Sequence, residues 1–161
     1  MSDQSIIEGQ TTSVRLERSY EAPPEAVFDA WTNPEVLRRW WVADPSWRTP
    51  LAEVDLRVGG GYRLTMEEPG SGARHTVQGE YLEIRRPELL VYSWRWELEE
   101  GGTGHESTVT VRFIADGGRT NVVLEHAGLE DRGSAERHAA GWTGCLENLQ
   151  ARVMEAAAPA V

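Results

Sequence analysis

Apolar and polar residues alternate through most of the chain between Tyr62 and His126. The alternation has a period of two, which is typical of strands that bury one face. Turn sequences rich in glycine and proline interrupt it, the clearest of which are 69–72, 101–102 and 117–118. Strands joined by short turns of this kind pair with their neighbours in the chain, so the pattern predicts an antiparallel meander.

The alternation changes phase once, in the second run of this region. Val77 and Tyr81 are in phase with each other, whereas the apolar residues Leu82 and Ile84 are not. One extra residue in a strand moves every later side chain to the opposite face. The sequence therefore predicts a β-bulge near Tyr81.

After about Ser134 the pattern becomes helical, because the residues of one predicted apolar face recur at spacings of three or four. They are His138, Trp142, Cys145, Leu149 and Val153. A helix with this pattern would extend over about 20 residues, long enough to cross a sheet. Its glycines at 141 and 144 each cost about 1 kcal/mol relative to alanine. We expect a close approach of the helix to the rest of the fold to explain them, with room for a ligand as the alternative.

Ahead of the meander, the sequence predicts one strand and two short helices. Residues 14–20 alternate like a strand, Pro24 lies in the first turn of a helix, and Asn33 caps a second helix that begins at Pro34. Residues 42–52 contain two prolines and are predicted to be a loop. Together these elements predict an α+β fold, with a curved antiparallel sheet of about six strands wrapped around one long C-terminal helix.

The composition excludes several kinds of chemistry. All 16 basic residues are arginine, so no lysine is present to form a Schiff base or to bind phosphate in a P-loop. The net charge of −10 argues against nucleic acid and anionic membranes as partners. We find no signal-peptide pattern and no apolar run long enough to span a bilayer, and therefore expect a cytoplasmic protein.

Metal and disulfide chemistry have little support in the sequence. The single cysteine, Cys145, excludes an intramolecular disulfide and a multi-cysteine zinc site. The four histidines lack the spacing of a helical zinc site. We therefore expect neither a metal nor another cofactor.

Several segments resemble, in the same order, the motifs of one protein family. They are Trp31–Glu35 with Trp40 and Trp41, Asp55–Gly60, Gly79 and Glu80 with Pro87–Leu90 and Trp94, Thr120, His126 with Gly128 and Leu129, and His138 with Gly141 and Trp142. On these residues the chain resembles the START-like (SRPBCC) superfamily. Within it, the chain resembles homologues of the activator of heat shock protein 90 ATPase, through the C-terminal domain of the eukaryotic activator. The resemblance implies the helix-grip fold in a single START-like domain, here over residues 13–158, of a bacterial protein. Residues 1–12 are polar and are predicted to be disordered.

A helix-grip fold implies a cavity between the concave sheet and the long helix. Seven tryptophans, an unusual number, also favour a lined cavity or an interface. Alternation, helical spacing and the resemblance together indicate ten candidate ligand-binding residues. They are Trp40, Tyr62, Leu64, Tyr81, Tyr92, Trp94, His126, His138, Trp142 and Cys145.

Three functions compete. The first is non-catalytic binding of a small hydrophobic or aromatic molecule in this cavity, favoured because the sequence has no assembled catalytic motif. The second is a stress-response role in which the protein interacts with a chaperone, as the family resemblance implies. The third is a cyclase- or hydrolase-like enzyme with His126, His138 or Tyr92 as acid or base. The sequence is compatible with a monomer or a homodimer.

Overall fold

The computed structural model describes residues 6–7 and 12–155 of the 161-residue chain. Its elements are, in order, β1 (Ile6–Ile7), β2 (Val14–Tyr20), α1 (Pro24–Thr32), α2 (Pro34–Trp40), β3 (Arg48–Val54), β4 (Gly61–Glu67), β5 (Arg74–Arg85), β6 (Leu89–Trp96), β7 (Ser107–Asp116), β8 (Arg119–Ala127) and α3 (Arg132–Leu149), which continues as a π-helical turn (Gln150–Met154).

These strands form one antiparallel sheet in the order β1-β2-β8-β7-β6-β5-β4-β3. Strands that are consecutive in the chain are paired, except that β2 pairs with β8, where Val14 lies opposite His126. The sheet is curled into a half-barrel against the long C-terminal helix, and the two short helices follow β2. This arrangement confirms the predicted α+β helix-grip fold.

The prediction of a loop over residues 42–52 was wrong for its second half. Residues Arg48–Val54 form β3, the last strand at one edge of the sheet. Pro50 is tolerated there because an edge strand has one side without a ladder of hydrogen bonds. The pairing register with β4 shifts between Arg48 and Leu51, around this proline.

The sheet is therefore larger than the predicted six strands, through β3 and the two-residue β1. Strand β1 falls within the segment 1–12, which was predicted to be disordered. Apart from residues 6–7 and 12, that segment lies outside the described residues. The predicted bulge is confirmed, since the register between β5 and β6 shifts between Tyr81 and Glu83. Tyr81 is buried, whereas the next residue, Leu82, is 46% exposed.

The helix boundaries follow from local capping. The side chain of Asn33 accepts a hydrogen bond from the backbone N–H of Glu35 (3.0 Å) at the start of α2, as predicted. At the start of α3, the carboxylate of Asp131 accepts from the backbone N–H of Ser134 (2.8 Å), so this helix begins slightly earlier than expected. None of the described helices combines the length and apolar character that crossing a lipid bilayer requires.

The long helix is held against the connection between α2 and β3. A Cβ atom added to Gly144 would lie 2.0 Å from the carbonyl oxygen of Ala43, so only glycine permits this approach. The side-chain amide of Asn148 donates a hydrogen bond to the carbonyl oxygen of Val42 (3.0 Å). The predicted close approach is thus confirmed at Gly144. At Gly141 an added Cβ would meet nothing nearer than the Cβ of Ala43, at 3.9 Å.

Candidate functional site

An open pocket of about 490 Å³ lies between α3 and the sheet, where β4 and β6 end and β5 begins. Its first wall is the helix, which contributes Arg137, His138, Gly141, Trp142 and Cys145. The last four occupy positions i, i+3, i+4 and i+7 of the helix and therefore share one face. Gly141 has no side chain, which leaves space in the middle of this wall.

The sheet forms the second wall. Trp94 and Trp96 are two residues apart on β6 and so lie on the same face of the sheet, and Met66 on β4 and His75 on β5 complete the wall. Trp94 is buried, whereas Trp96 is partly exposed at the pocket. Met66 and Trp96 continue the alternation of Leu64 and Trp94, a signal that the sequence analysis could have used.

The third wall comes from the connection between α2 and β3, which provides Trp41, Ala43 and Trp47. The ring of Trp47 stacks on that of His75, with centroids 5.6 Å apart and planes inclined by 20°. This stack joins the connection to the sheet beside the pocket. Sequence reasoning missed this wall, because an irregular segment has no periodicity to assign its side chains to a face.

Of the ten predicted site residues, four line the pocket: Trp94, His138, Trp142 and Cys145. Four others, Tyr62, Leu64, Tyr81 and Tyr92, surround a separate space of only about 10 Å³. A space of that size holds at most one water molecule. Trp40 is fully buried and donates its indole N–H to the carbonyl oxygen of Ala30 (2.9 Å).

The rings of the three tyrosines pack against one another edge to face or tilted, with centroids 5.2 to 6.0 Å apart, and so occupy the space between them. The hydroxyl of Tyr62 donates to the carbonyl oxygen of Ser93 (2.6 Å), and that of Tyr92 accepts from the indole N–H of Trp31 (3.3 Å). Burial raises the pKa of Tyr62, Tyr81 and Tyr92. These hydroxyl groups are therefore neutral structural groups of the core.

The tenth residue, His126, lies behind the pocket wall and is fully buried. The indole N–H of Trp142 donates to its Nδ1 (3.0 Å), so the ring proton must be on Nε2, which contacts the hydroxyl of Ser107 (2.7 Å). Burial lowers the pKa of His126 well below its usual range, and the neighbouring His138 adds to this effect. His126 is thus a neutral residue that orients the Trp142 ring.

His138 forms a second pair of the same kind. The indole N–H of Trp96 donates to its Nε2 (2.9 Å), so Nδ1 carries the proton and donates to the carbonyl oxygen of Ser134 (2.8 Å). Burial lowers the pKa of His138, the hydrogen bond to Ser134 opposes this, and the charge of Arg137 lowers the pKa again. Both ring nitrogens are engaged, and each tryptophan–histidine pair fixes one ring of the pocket wall.

The enzyme hypothesis needed His126, His138 and Tyr92 to face one pocket. The two histidine rings are close, with centroids 4.9 Å apart, but only His138 lines the pocket. Tyr92 belongs to the tyrosine cluster. Burial raises the pKa of the Cys145 thiol, so the pocket's cysteine is neutral as well. The convergent acid–base group of that hypothesis is not formed.

The charges around the pocket are distributed unevenly. The twelve residues that line it include neither aspartate nor glutamate, although the chain has 26 acidic residues. Arg137 is exposed at its mouth. No cluster of three or more potential metal ligands occurs among residues 6–7 and 12–155. The arrangement is an apolar aromatic pocket with one permanent cation at its edge.

Comparisons with known proteins place the chain in a family. Residues 21–154 match the family model described as "Activator of Hsp90 ATPase homolog 1-like protein". An AHSA1 protein from Silicibacter pomeroyi is 29% identical over 86% of this chain and 95% of its own, with a TM-score of 0.78. An HSP90 activator from Plasmodium falciparum is 32% identical over 89% of this chain and 95% of its own, with a TM-score of 0.64.

A structure of a Chromobacterium violaceum protein is also similar, at 27% identity over 89% of this chain and 97% of its own, with a TM-score of 0.79. Among proteins with curated functions, none matches the sequence significantly.

Proposed function

The chain belongs to the family of Activator of Hsp90 ATPase homolog 1-like proteins, and on that premise we propose that it binds a small hydrophobic or aromatic molecule in the pocket between α3 and the sheet. The observation that carries the proposal is the tryptophan lining of the pocket. Five of the seven tryptophans of the chain line it, namely Trp41, Trp47, Trp94, Trp96 and Trp142. Flat indole rings offer a large apolar surface to a ligand of similar shape.

The size of the pocket supports a small-molecule ligand. Its volume of about 490 Å³ lies within the range of roughly 300–1,000 Å³ that is usual for ligand pockets. The two rings whose indole N–H groups are bonded to histidine, Trp96 and Trp142, keep their orientation without a ligand. A preformed wall reduces the conformational entropy that binding must offset.

A non-catalytic role is supported by the groups that face the ligand space. Both nitrogens of His138 take part in hydrogen bonds, and the thiol of Cys145 is buried and neutral. A general base needs an available lone pair within reach of the substrate, and a nucleophilic cysteine needs a thiolate. These two side chains therefore serve as parts of the wall.

Titration with N-phenyl-1-naphthylamine, a neutral aromatic probe whose fluorescence rises in apolar surroundings, tests the proposal. We expect saturable binding, and at 100 times its dissociation constant the probe should raise the free energy of unfolding by about 2.7 kcal/mol. Gly141→Leu, which places a side chain inside the pocket, should abolish binding. Ala140→Leu is the matched control, because Ala140 is the exposed neighbour on the same helix. Absence of binding, or equal binding by both variants, would refute the proposal.

A chaperone-linked role is the second candidate, favoured by the 32% identity to the Plasmodium falciparum HSP90 activator. It is tested by adding the purified protein to a chaperone of the heat shock protein 90 type from the same host and measuring ATP hydrolysis. A rate that rises and saturates with protein concentration supports this role. An unchanged rate over the whole series eliminates it.

A further inference from the structure

Resting on the proposed function, we infer that the ligand is a planar aromatic acid whose ring lies among the tryptophans of the pocket and whose carboxylate pairs with Arg137 at its mouth. This inference names the chemical class of the ligand, which the shape and apolar character of the pocket alone leave open. It is carried by the charges at the pocket.

Among the described residues, Arg137 differs from most arginines in having no partner. Within the part of the chain that the structure describes, its guanidinium forms neither an ion pair nor a hydrogen bond, although the side chain is exposed and lines the pocket. By contrast, Arg132, five residues earlier on α3, pairs with Glu136. A guanidinium presents a planar set of donors that matches a carboxylate with two parallel hydrogen bonds.

Three basic side chains line the pocket, and of these Arg137 is the one whose charge is available to a ligand. His138 is neutral, and its Nε2 accepts from Trp96. Nε2 of His75 lies 2.6 Å from a carboxylate oxygen of Glu68, so this ring nitrogen already has a partner. No carboxylate is among the residues that line the pocket, so none lies there to repel a ligand anion.

The position of the charge also suits such a ligand. A carboxylate in the interior of the pocket would have to lose its hydration among apolar rings, which is costly. At the mouth it keeps contact with water while the aromatic ring is buried. An amphipathic molecule with a flat apolar body and an anionic end therefore matches both parts of the site.

The experiment compares 2-naphthoate with 2-naphthamide, two ligands of nearly the same shape that differ in charge. Each displaces N-phenyl-1-naphthylamine from the wild-type protein, and the ratio of their dissociation constants is measured. We expect 2-naphthoate to bind about tenfold more tightly, the effect of one charge-assisted pair. In Arg137→Gln this ratio should fall to about one. Arg137→Lys keeps the charge without the planar donors and should restore part of the ratio.

Arg132→Gln is the matched control, since it removes an exposed arginine of the same helix that does not line the pocket. It should leave the wild-type ratio unchanged. Added salt should weaken the binding of 2-naphthoate more than that of 2-naphthamide, because the mouth of the pocket is exposed to solvent.

The outcomes separate this inference from the proposed function. If the neutral probe binds and Gly141→Leu blocks it, but 2-naphthoate has no advantage or Arg137→Gln leaves its advantage intact, the acidic ligand class is wrong and the binding function stands. If neither the probe nor either naphthalene compound binds, both proposals are wrong.

Discussion

The indole N–H of Trp142 donates a 3.0 Å hydrogen bond to Nδ1 of His126, while the buried indole N–H of its neighbour Trp94 has no acceptor within the described residues. The two rings are in contact, with centroids 5.2 Å apart. One of two adjacent, buried tryptophans thus forms a polar contact that the other lacks.

This difference predicts unequal effects of the same substitution. Trp142→Phe leaves Nδ1 of His126 without a donor, whereas Trp94→Phe removes an N–H that was unpaired. Both substitutions shrink the ring by a similar amount, so the lost hydrogen bond dominates the difference. We expect Trp142→Phe to lower the free energy of unfolding by about 1–3 kcal/mol more than Trp94→Phe. Urea denaturation measures both values, and equal losses would contradict the assigned role of the Trp142–His126 bond.

The two glycines on the pocket side of α3 should respond in opposite directions to alanine. Gly144→Ala would place its Cβ 2.0 Å from the carbonyl oxygen of Ala43, so we expect a loss of about 1–3 kcal/mol in the free energy of unfolding from the displaced backbone. Gly141→Ala meets only an ordinary contact at 3.9 Å, and the better helix propensity of alanine should add about 0.5–1 kcal/mol. Thermal denaturation of the pair checks this, and a shift of both in the same direction would contradict it.

Acid should destabilise the protein through His126, which is buried, and His138, which is partly buried. Burial lowers the pKa of His126 and His138 below the ordinary value of 6.5. Below that pH the unfolded chain binds protons that the folded protein does not, so stability is complete above pH 6.5 and falls as the pH decreases. For His126 the slope approaches about 1.4 kcal/mol per pH unit. Urea denaturation between about pH 7.5 and pH 5 measures the decline.

A variant and a second set of groups serve as controls for this pH dependence. His138→Gln keeps an acceptor for Trp96 but does not titrate, so its stability should decline less steeply. Hydrogen bonds from Arg74 and Arg63 lower the pKa of Glu67 and Glu97, respectively, below the ordinary value of 4.5. The stabilisation from those carboxylates is lost only below that value, which separates the two ranges. A flat profile between pH 7.5 and 5 would contradict the role of the histidines.

The thiol of Cys145 should be almost unreactive in the folded protein. It is only 3% exposed, and burial raises its pKa, so the reactive thiolate is scarce. We expect 5,5′-dithiobis(2-nitrobenzoate) to label the native protein at least about 100-fold more slowly than the urea-unfolded chain. Ser46→Cys in a Cys145→Ala background provides an exposed thiol as the control. Equally rapid labelling of the two thiols would contradict the burial of Cys145 in the folded protein.

The fold was predictable wherever a long periodic pattern specifies both an element and its buried face. The change of phase after Tyr81 is visible in the sequence because every later side chain in the strand moves to the other face. Strand β3 shows the limit of this reasoning. Pro50 excludes a strand from the interior of a sheet but not from its edge. Which strand lies at the edge is decided by the whole topology, which a local pattern does not contain.

The pocket was only partly predictable, for a different physical reason. Alternation assigns Tyr62, Tyr81 and Tyr92 to one face, but it does not reveal that their rings fill the space in front of that face. The space opens instead beside Trp96, where the connection after α2 brings Trp47 over the sheet. The position of an irregular segment depends on contacts such as that between Ala43 and Gly144, which join distant parts of the chain.

The pairing of β2 with β8 has a consequence for the order in which the chain can fold during synthesis. The strands β3 to β8 can pair in the order in which they emerge, because each lies beside the next. β2, which contains Val14 and Leu16, is synthesised much earlier than β8, so apart from the two-residue β1 it has no partner strand until β8 has been made. His126 lies opposite Val14 and also accepts the hydrogen bond from Trp142. β2 can therefore join the sheet only after β8 has been synthesised, and the hydrogen bond to His126 forms only once Trp142 on α3 has followed.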